Sequence, residues 1–131
     1  MIQIKRDIFN GLIEHARRDT PVEACGYLAG KNRIITKQYK LTNMDQSPEH
    51  FSLDPAEQFE VLKKVRDTGL EIMANYHSHP ATPARPSQED IRLAYDADIY
   101  YCIVSLAGNP EIKFFKIQNQ IVTEQQIQII D

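Results

Sequence analysis

Apolar residues change their spacing several times along the chain, and each change marks an element. Ile2 and Ile4 alternate with polar neighbours, which predicts a short opening strand. From Ile8 onward Phe9, Leu12, Ile13 and Ala16 fall at one, four, five and eight positions, the stripe of a helix lying on a core. Asp7 stands where it can cap that helix, and Pro21 follows its expected end. Residues 24–30 form an apolar run that reads as a buried strand. Lys31 and Asn32 then read as a hairpin turn and residues 34–41 as the returning strand. Residues 43–50 are polar, hold Pro48 and read as a loop. Asp54, Pro55 and Glu57 occupy the cap, first and capping-box positions of a second helix. That helix is expected to turn Phe59, Leu62 and Val65 inward and to stop at Gly69. Residues 70–76 read as a strand, Ser87 opens a third helix running to about Ala97, and residues 100–106 are apolar enough for a central strand. Gly108, Asn109 and Pro110 mark a turn before a hairpin of residues 112–117 and 120–122, while residues 125–131 fit a strand or a short helix. Strands and helices mix without a regular βαβ rhythm, which predicts an α+β fold. No repeat or linker interrupts residues 1–131, so one domain is expected.

Composition narrows the field. Forty-two per cent of the residues are hydrophobic, enough for a packed core. The net charge of −3 is scattered rather than clustered, which argues against nucleic acid or an anionic membrane as partner. No apolar stretch approaches the roughly 20 residues of a membrane helix, and no signal-type segment follows Met1. Cys25 and Cys102 are too few for a disulfide framework, so both are expected as reduced packing residues in a cytoplasmic protein.

The segment HSHPATPARPSQED carries the chemistry. Residues two apart on a strand share a face, so His77 and His79 can aim at one point. Pro80, Pro83 and Pro86 stiffen the loop that follows. That loop can return Asp90, on the first turn of the next helix, to face the two imidazoles. Two histidines and a carboxylate leave a fourth position open, the arrangement of a catalytic rather than a structural zinc. Metal-assisted hydrolysis then needs a base and an oxyanion donor. Glu23, at the mouth of a predicted strand, is a candidate for the first and Ser87 for the second. The plainer readings are also open at this point. Ser87-x-x-Asp90 is by itself a capping box, Glu23 by itself a solvated loop carboxylate, His15 a helix-surface residue and His50 a loop residue.

Taken together, Glu23, His77, His79, Ser87 and Asp90 resemble the signature of the JAMM/MPN metallopeptidases, a distant glutamate followed by HxH, seven residues and SxxD. The resemblance extends through Pro21–Gly30 (P-x-E-x-C-G-x-L-x-G), Asn43 and the helix after Asp54. It implies a curved mixed β-sheet flanked by helices, of the MPN/cytidine-deaminase-like kind. By the same resemblance His77, His79 and Asp90 bind one Zn²⁺ per chain, Glu23 holds and deprotonates the attacking water, and Ser87 stabilises the tetrahedral intermediate. The small size resembles stand-alone bacterial and archaeal members, which implies cleavage after the C-terminal diglycine of a ubiquitin-like or sulfur-carrier protein. A non-catalytic module that binds a ubiquitin-like partner around a structural zinc is the alternative. A DNA-associated relative of the same fold is disfavoured by the acidic balance. One departure stands out: Ala74 and Asn75 lie where relatives often carry a glycine.

Overall fold

The two-residue period of the strands sorts side chains onto opposite faces of one sheet. The computed structural model describes residues 1–131 in full. In chain order its elements are β1 (Ile2–Lys5), α1 (Arg6–Asp19), β2 (Cys25–Lys31), β3 (Ile34–Leu41), α2 (Pro55–Asp67) and β4 (Glu71–His79), then α3 (Gln88–Arg92), β5 (Tyr100–Ser105), β6 (Glu111–Gln118), β7 (Ile121–Gln125) and β8 (Ile127–Ile130). The eight strands hydrogen-bond in the order β7-β6-β5-β4-β2-β3-β1-β8. Three neighbouring pairs are parallel (β4/β5, β1/β3 and β1/β8) and the rest antiparallel, so the sheet is mixed, as the α+β expectation has it. Only Gln126 separates β7 from β8, although they pair at opposite ends of the strand order. The sheet must therefore curl until one nearly continuous stretch reaches both ends.

On β2, Leu28 points into a core shared with Leu12 and Ala16 of α1, Tyr76 of β4 and Phe114 of β6. Its neighbours Cys25, Tyr27 and Ala29 point the other way, against Val61 and Val65 of α2. On that second face a separate cluster forms where Tyr101, Ile103, Phe115 and Ile117 meet Ala84, Ile91 and Ala94. One side of the sheet thus carries α1, and the other carries α2 and α3 over distinct apolar patches. Gly26 permits the close packing of this centre, because a Cβ there would run into the Tyr39 carbonyl and the Tyr76 ring.

Several expectations need correction. α1 begins at Arg6, with Lys5 at the cap and no side-chain cap bond, so Asp7 lies inside the first turn. The first hairpin turns on Asn32 and Arg33, both at positive φ, rather than on Lys31 and Asn32. Asp54 caps α2 as expected, accepting from Ala56 N at 3.0 Å. Glu57 does not complete a capping box; it accepts from Thr42 Oγ1 at 2.9 Å and ties α2 to the end of β3. Val61 and Val65 are the buried residues of α2, while Phe59 and Leu62 are exposed (69% and 41%). α3 stops at Arg92, well short of Ala97, and the chain ends in a strand. No helix is long and apolar enough to cross a membrane.

Candidate metal centre and the groove beside it

β4 runs on through the HSH segment, so His77 and His79 sit two apart on its last turns of pleat and face the same side. Residues 80–86 fold back against the end of β5, where Ser105 Oγ donates to Thr82 O at 2.7 Å and buried Ala84 anchors the loop. Ser87 then starts α3 with a reciprocal box. Its Oγ accepts from Asp90 N at 3.0 Å, and its own N–H donates to Asp90 Oδ2 at 2.9 Å. The box aims the Asp90 carboxylate inward. Oδ2 lies 3.1 Å from His77 Nε2 and 3.1 Å from His79 Nε2, and the two Nε2 atoms are 3.1 Å apart.

This triangle is the shape a small divalent cation requires. Tetrahedral zinc with bonds of about 2.0–2.1 Å places neighbouring ligand atoms about 3.3 Å apart. Two ring nitrogens and a carboxylate oxygen this close repel unless a proton or cation sits among them. His79 is oriented for the ligand role. A carbonyl oxygen only accepts, so Nδ1–H must donate to Pro83 O at 2.9 Å, which leaves the Nε2 lone pair facing the centre. His77 Nδ1 is buried without a partner; its ring is oriented instead by stacking on Phe51, at 4.8 Å between centroids and 25° between planes. Charge follows the geometry. Burial alone would raise the Asp90 carboxyl, but the hydrogen bonds from both histidines hold it well below the usual range. Burial pulls the His79 imidazole down, yet the bonds to Asp90 and Pro83 outweigh it and the net shift is upward.

Glu23 is no solvated carboxylate. It is 3% exposed, and its Oε1 is buried without a hydrogen bond. Burial pushes its carboxyl up to about 8. His79 opposes the shift, while Asp90 and Glu89 add to it; Glu23 adjoins Ala24, which is bonded to Ser78 between the two histidines. Its backbone is clamped from three sides. Glu23 N donates to Ser47 O at 2.9 Å, and Asn43 Nδ2 donates to Glu23 O at 3.1 Å. Ser78, between the two histidines, accepts from Ala24 N at 2.8 Å through its Oγ and donates its own N–H to Ala24 O at 2.9 Å. Asn43 also donates to His50 O at 3.0 Å and accepts from Ser52 N at 3.3 Å, so one buried amide holds both Glu23 and the segment carrying Phe51. The sequence singles out neither Ser78 nor Phe51, and marks Asn43 only through the family resemblance. The middle position of HxH was visible but silent, because its partner Ala24 is distant in sequence. His50 is a loop residue as expected, 3.6 Å from Glu89.

From the triangle a groove of about 600 Å³ runs between the two apolar patches. Tyr27, Asn75, His77 and Tyr101 form part of its floor, Gln58 and Leu62 of α2 one wall, and Leu93 and Asp96 the other. Tyr27 OH accepts from Gln58 Nε2 at 2.7 Å, and Tyr101 OH donates to Asp96 O at 2.7 Å, so each tyrosine ties the floor to a wall.

The family model described as prokaryotic homologs of the JAB domain matches residues 5–118 of this chain. The chain belongs to this family. As a JAB domain it is similar over its whole length to the CysO-cysteine peptidase of Mycobacterium tuberculosis, with 35% identity over 135 residues and 92% of that protein covered. A desampylase of Pyrococcus furiosus is 31% identical over 100 residues, covering 76% of this JAB domain and 71% of that protein. A solution structure of a protein from Desulfitobacterium hafniense superposes with a TM-score of 0.91 at 44% identity, over all of this chain and 94% of the other. The curled mixed sheet with its helices is the fold the sequence resemblance implied.

Proposed function

We propose that this JAB domain is a zinc-dependent peptidase or isopeptidase that hydrolyses the amide after the C-terminal diglycine of a ubiquitin-like or sulfur-carrier protein. The observation that carries the reading is the triangle of His77 Nε2, His79 Nε2 and Asp90 Oδ2 at 3.1 Å on each side, with the buried Glu23 carboxyl beside it. These three residues would hold one zinc per chain, which when bound supplies Lewis-acid polarisation of the scissile carbonyl and acidifies a water. Glu23 takes the attacking water's proton and returns it to the leaving amine. Ser87 Oγ spends a lone pair on Asp90 N and keeps its own proton free to meet the oxyanion that develops at the carbonyl. The structural-zinc alternative leaves Glu23 without purpose, since burying an unpartnered carboxyl beside a closed site costs stability and returns nothing.

The groove supports the substrate class. It reaches His77 and Asp90 and is lined mostly by apolar residues, so it suits a peptide tail. Exposed Phe59 on α2 and Tyr95 beyond α3 stand near its margins, where a folded carrier body can rest. The names of the relatives, CysO-cysteine peptidase and desampylase, fit the same class. The two cysteines point to opposite faces of the sheet and cannot pair, which fits a reducing cytoplasm.

Metal analysis and Glu23→Gln test this reading together. Wild-type protein purified without chelator should carry about one equivalent of zinc, and His77→Ala or Asp90→Ala should lose most of it. Glu23→Gln should keep the metal and the fold but lose activity on a carrier–cysteine amide by a factor on the order of 10² or more. Full activity in Glu23→Gln contradicts the mechanism, and full zinc retention in both ligand variants removes them from the site.

A further inference from the structure

Asn75 lies on the groove floor, and its side-chain oxygen bonds to nothing in the fold. Its side chain lies between Tyr27 on β2 and Tyr101 on β5, its cross-strand neighbours. Both phenol hydroxyls are already tied to the groove walls, by Gln58 and by Asp96. Asn75 Oδ1 is buried and has no hydrogen-bond partner. Leaving a buried acceptor unmade costs free energy that a leucine or valine in the same place would not. A strand residue with a purely structural task on this apolar face has no reason to be an amide. Asn75 also precedes His77 by two positions on the same face of β4, about 7 Å along the strand.

We propose that Asn75 is a specificity-determining residue, its Oδ1 accepting a main-chain N–H of an extended tail about two residues on the carrier side of the bond that is cut. The inference rests on the reading of the site as a carrier-tail hydrolase and adds the residue that sets the tail's register. An extended peptide lying along β4 with its last carbonyl at the triangle passes directly over Asn75, and a main-chain N–H is the one donor every such tail offers whatever its side chains. The walls exclude an anionic occupant, since Glu89, Asp90 and Asp96 all line the groove. A single amino acid on the leaving side would fill little of a 600 Å³ channel, so the tail is the segment that occupies it.

The test is a binding cycle on zinc-loaded Glu23→Gln protein, which leaves the ligand uncut. The probes are synthetic diglycine-ended tail peptides in which each of the last four main-chain amides is replaced in turn by an ester, removing one N–H at a time. One ester, near the third residue from the end, should weaken binding about tenfold, the size of one hydrogen bond lost. With Asn75→Ala added, the all-amide peptide should bind about tenfold more weakly and that same ester should cost nothing further. Asn75→Ala and Asn75→Leu should melt no lower than the parent despite the loss of binding, a pattern that a structural role for Asn75 does not produce. Equal ester losses with and without Asn75 would overturn its role while leaving the tail in the groove. No binding of any tail peptide to the parent protein would overturn both the role and the reading it rests on.

Discussion

His77, His79, Ser87 and Asp90 act through local rules, and that is why they were legible. The strand period joins the two histidines, and the helix start that Ser87 makes is the same feature that delivers Asp90. The capping and catalytic readings of Ser87 are therefore compatible. Ser87→Ala should lower stability by about 1 kcal/mol through the lost cap and also slow hydrolysis at unchanged zinc content, with denaturant melts and rates measured side by side. A stability loss with an intact rate would leave only the cap. Glu23 has no such local signal. Its partner Asn43 lies 20 residues away, and Ser78, which holds the neighbouring Ala24, lies 54 residues from it, and no spacing rule reaches that far. His15 was missed although its signal was present: it stands seven residues after Ile8, on the buried stripe of α1. Its Nδ1 lies 2.7 Å from Tyr76 OH, and its Nε2 is 3.0 Å from Asp19 Oδ2 but poorly directed at it. Burial lowers its pKa below 6.5, with Arg18 and Lys40 adding and Asp19 opposing. Above pH 6.5 the ring is neutral folded or unfolded. As the pH falls below that value the unfolded chain takes up a proton the folded one resists, so stability declines towards the lowered folded pKa. In chelator, to hold the candidate site common, His15→Asn should show a flatter stability–pH curve than wild type as the pH falls below 6.5; parallel curves would remove His15 as the cause.

At the scale of elements, the apolar stripe of α2 shows how a correct helix can carry a wrong face. Phe59, Leu62 and Val65 were expected inward, yet Val61 and Val65, one turn apart, are the residues that meet Tyr27 and Leu41. Phe59 is then a large apolar side chain displayed to solvent at 69% exposure, near the groove wall formed by Gln58 and Leu62. If it receives the carrier body, Phe59→Ser should raise KM for a whole carrier substrate several-fold and leave the rate on a short tail peptide and the melting temperature unchanged. Equal KM values for the whole carrier would exclude Phe59 from the docking surface. α3 illustrates the opposite error. Its capping box was legible but its length was not, because the stretch after Arg92 leaves the helix where Tyr101 OH captures Asp96 N and O. The opened segment is what supplies the second wall of the groove.

The whole molecule depends on a closure that no local pattern announces. The hairpin expected at 112–117 and 120–122 forms as β6 and β7, and of residues 125–131, expected as strand or short helix, 127–130 form β8, so that β7 and β8 together make one run that pairs antiparallel with β6 and then parallel with β1. Ile2 N donates to Gln126 O at 3.2 Å across the junction, and Ile127 and Ile129 pack against the α1-side core. The parallel β1/β8 pairing joins the first and last strands of the chain, so its partner lies beyond the reach of any hairpin rule. Removing residues 126–131 would strip three partly buried isoleucines, Ile127, Ile129 and Ile130, and leave β1 as an open edge. On apolar area alone the loss is about 2–4 kcal/mol, and an unpaired edge invites self-association. The two histidines of the candidate metal site stand on β4, three strands removed from β8 by β2, β3 and β1. The truncated chain should therefore melt several degrees lower and scatter light in a concentration-dependent way, while binding about one zinc at temperatures where it remains folded. An unchanged melting temperature would show that the strand does not close the sheet, and zinc loss in a chain still folded by circular dichroism would show that closure and the metal centre are coupled after all.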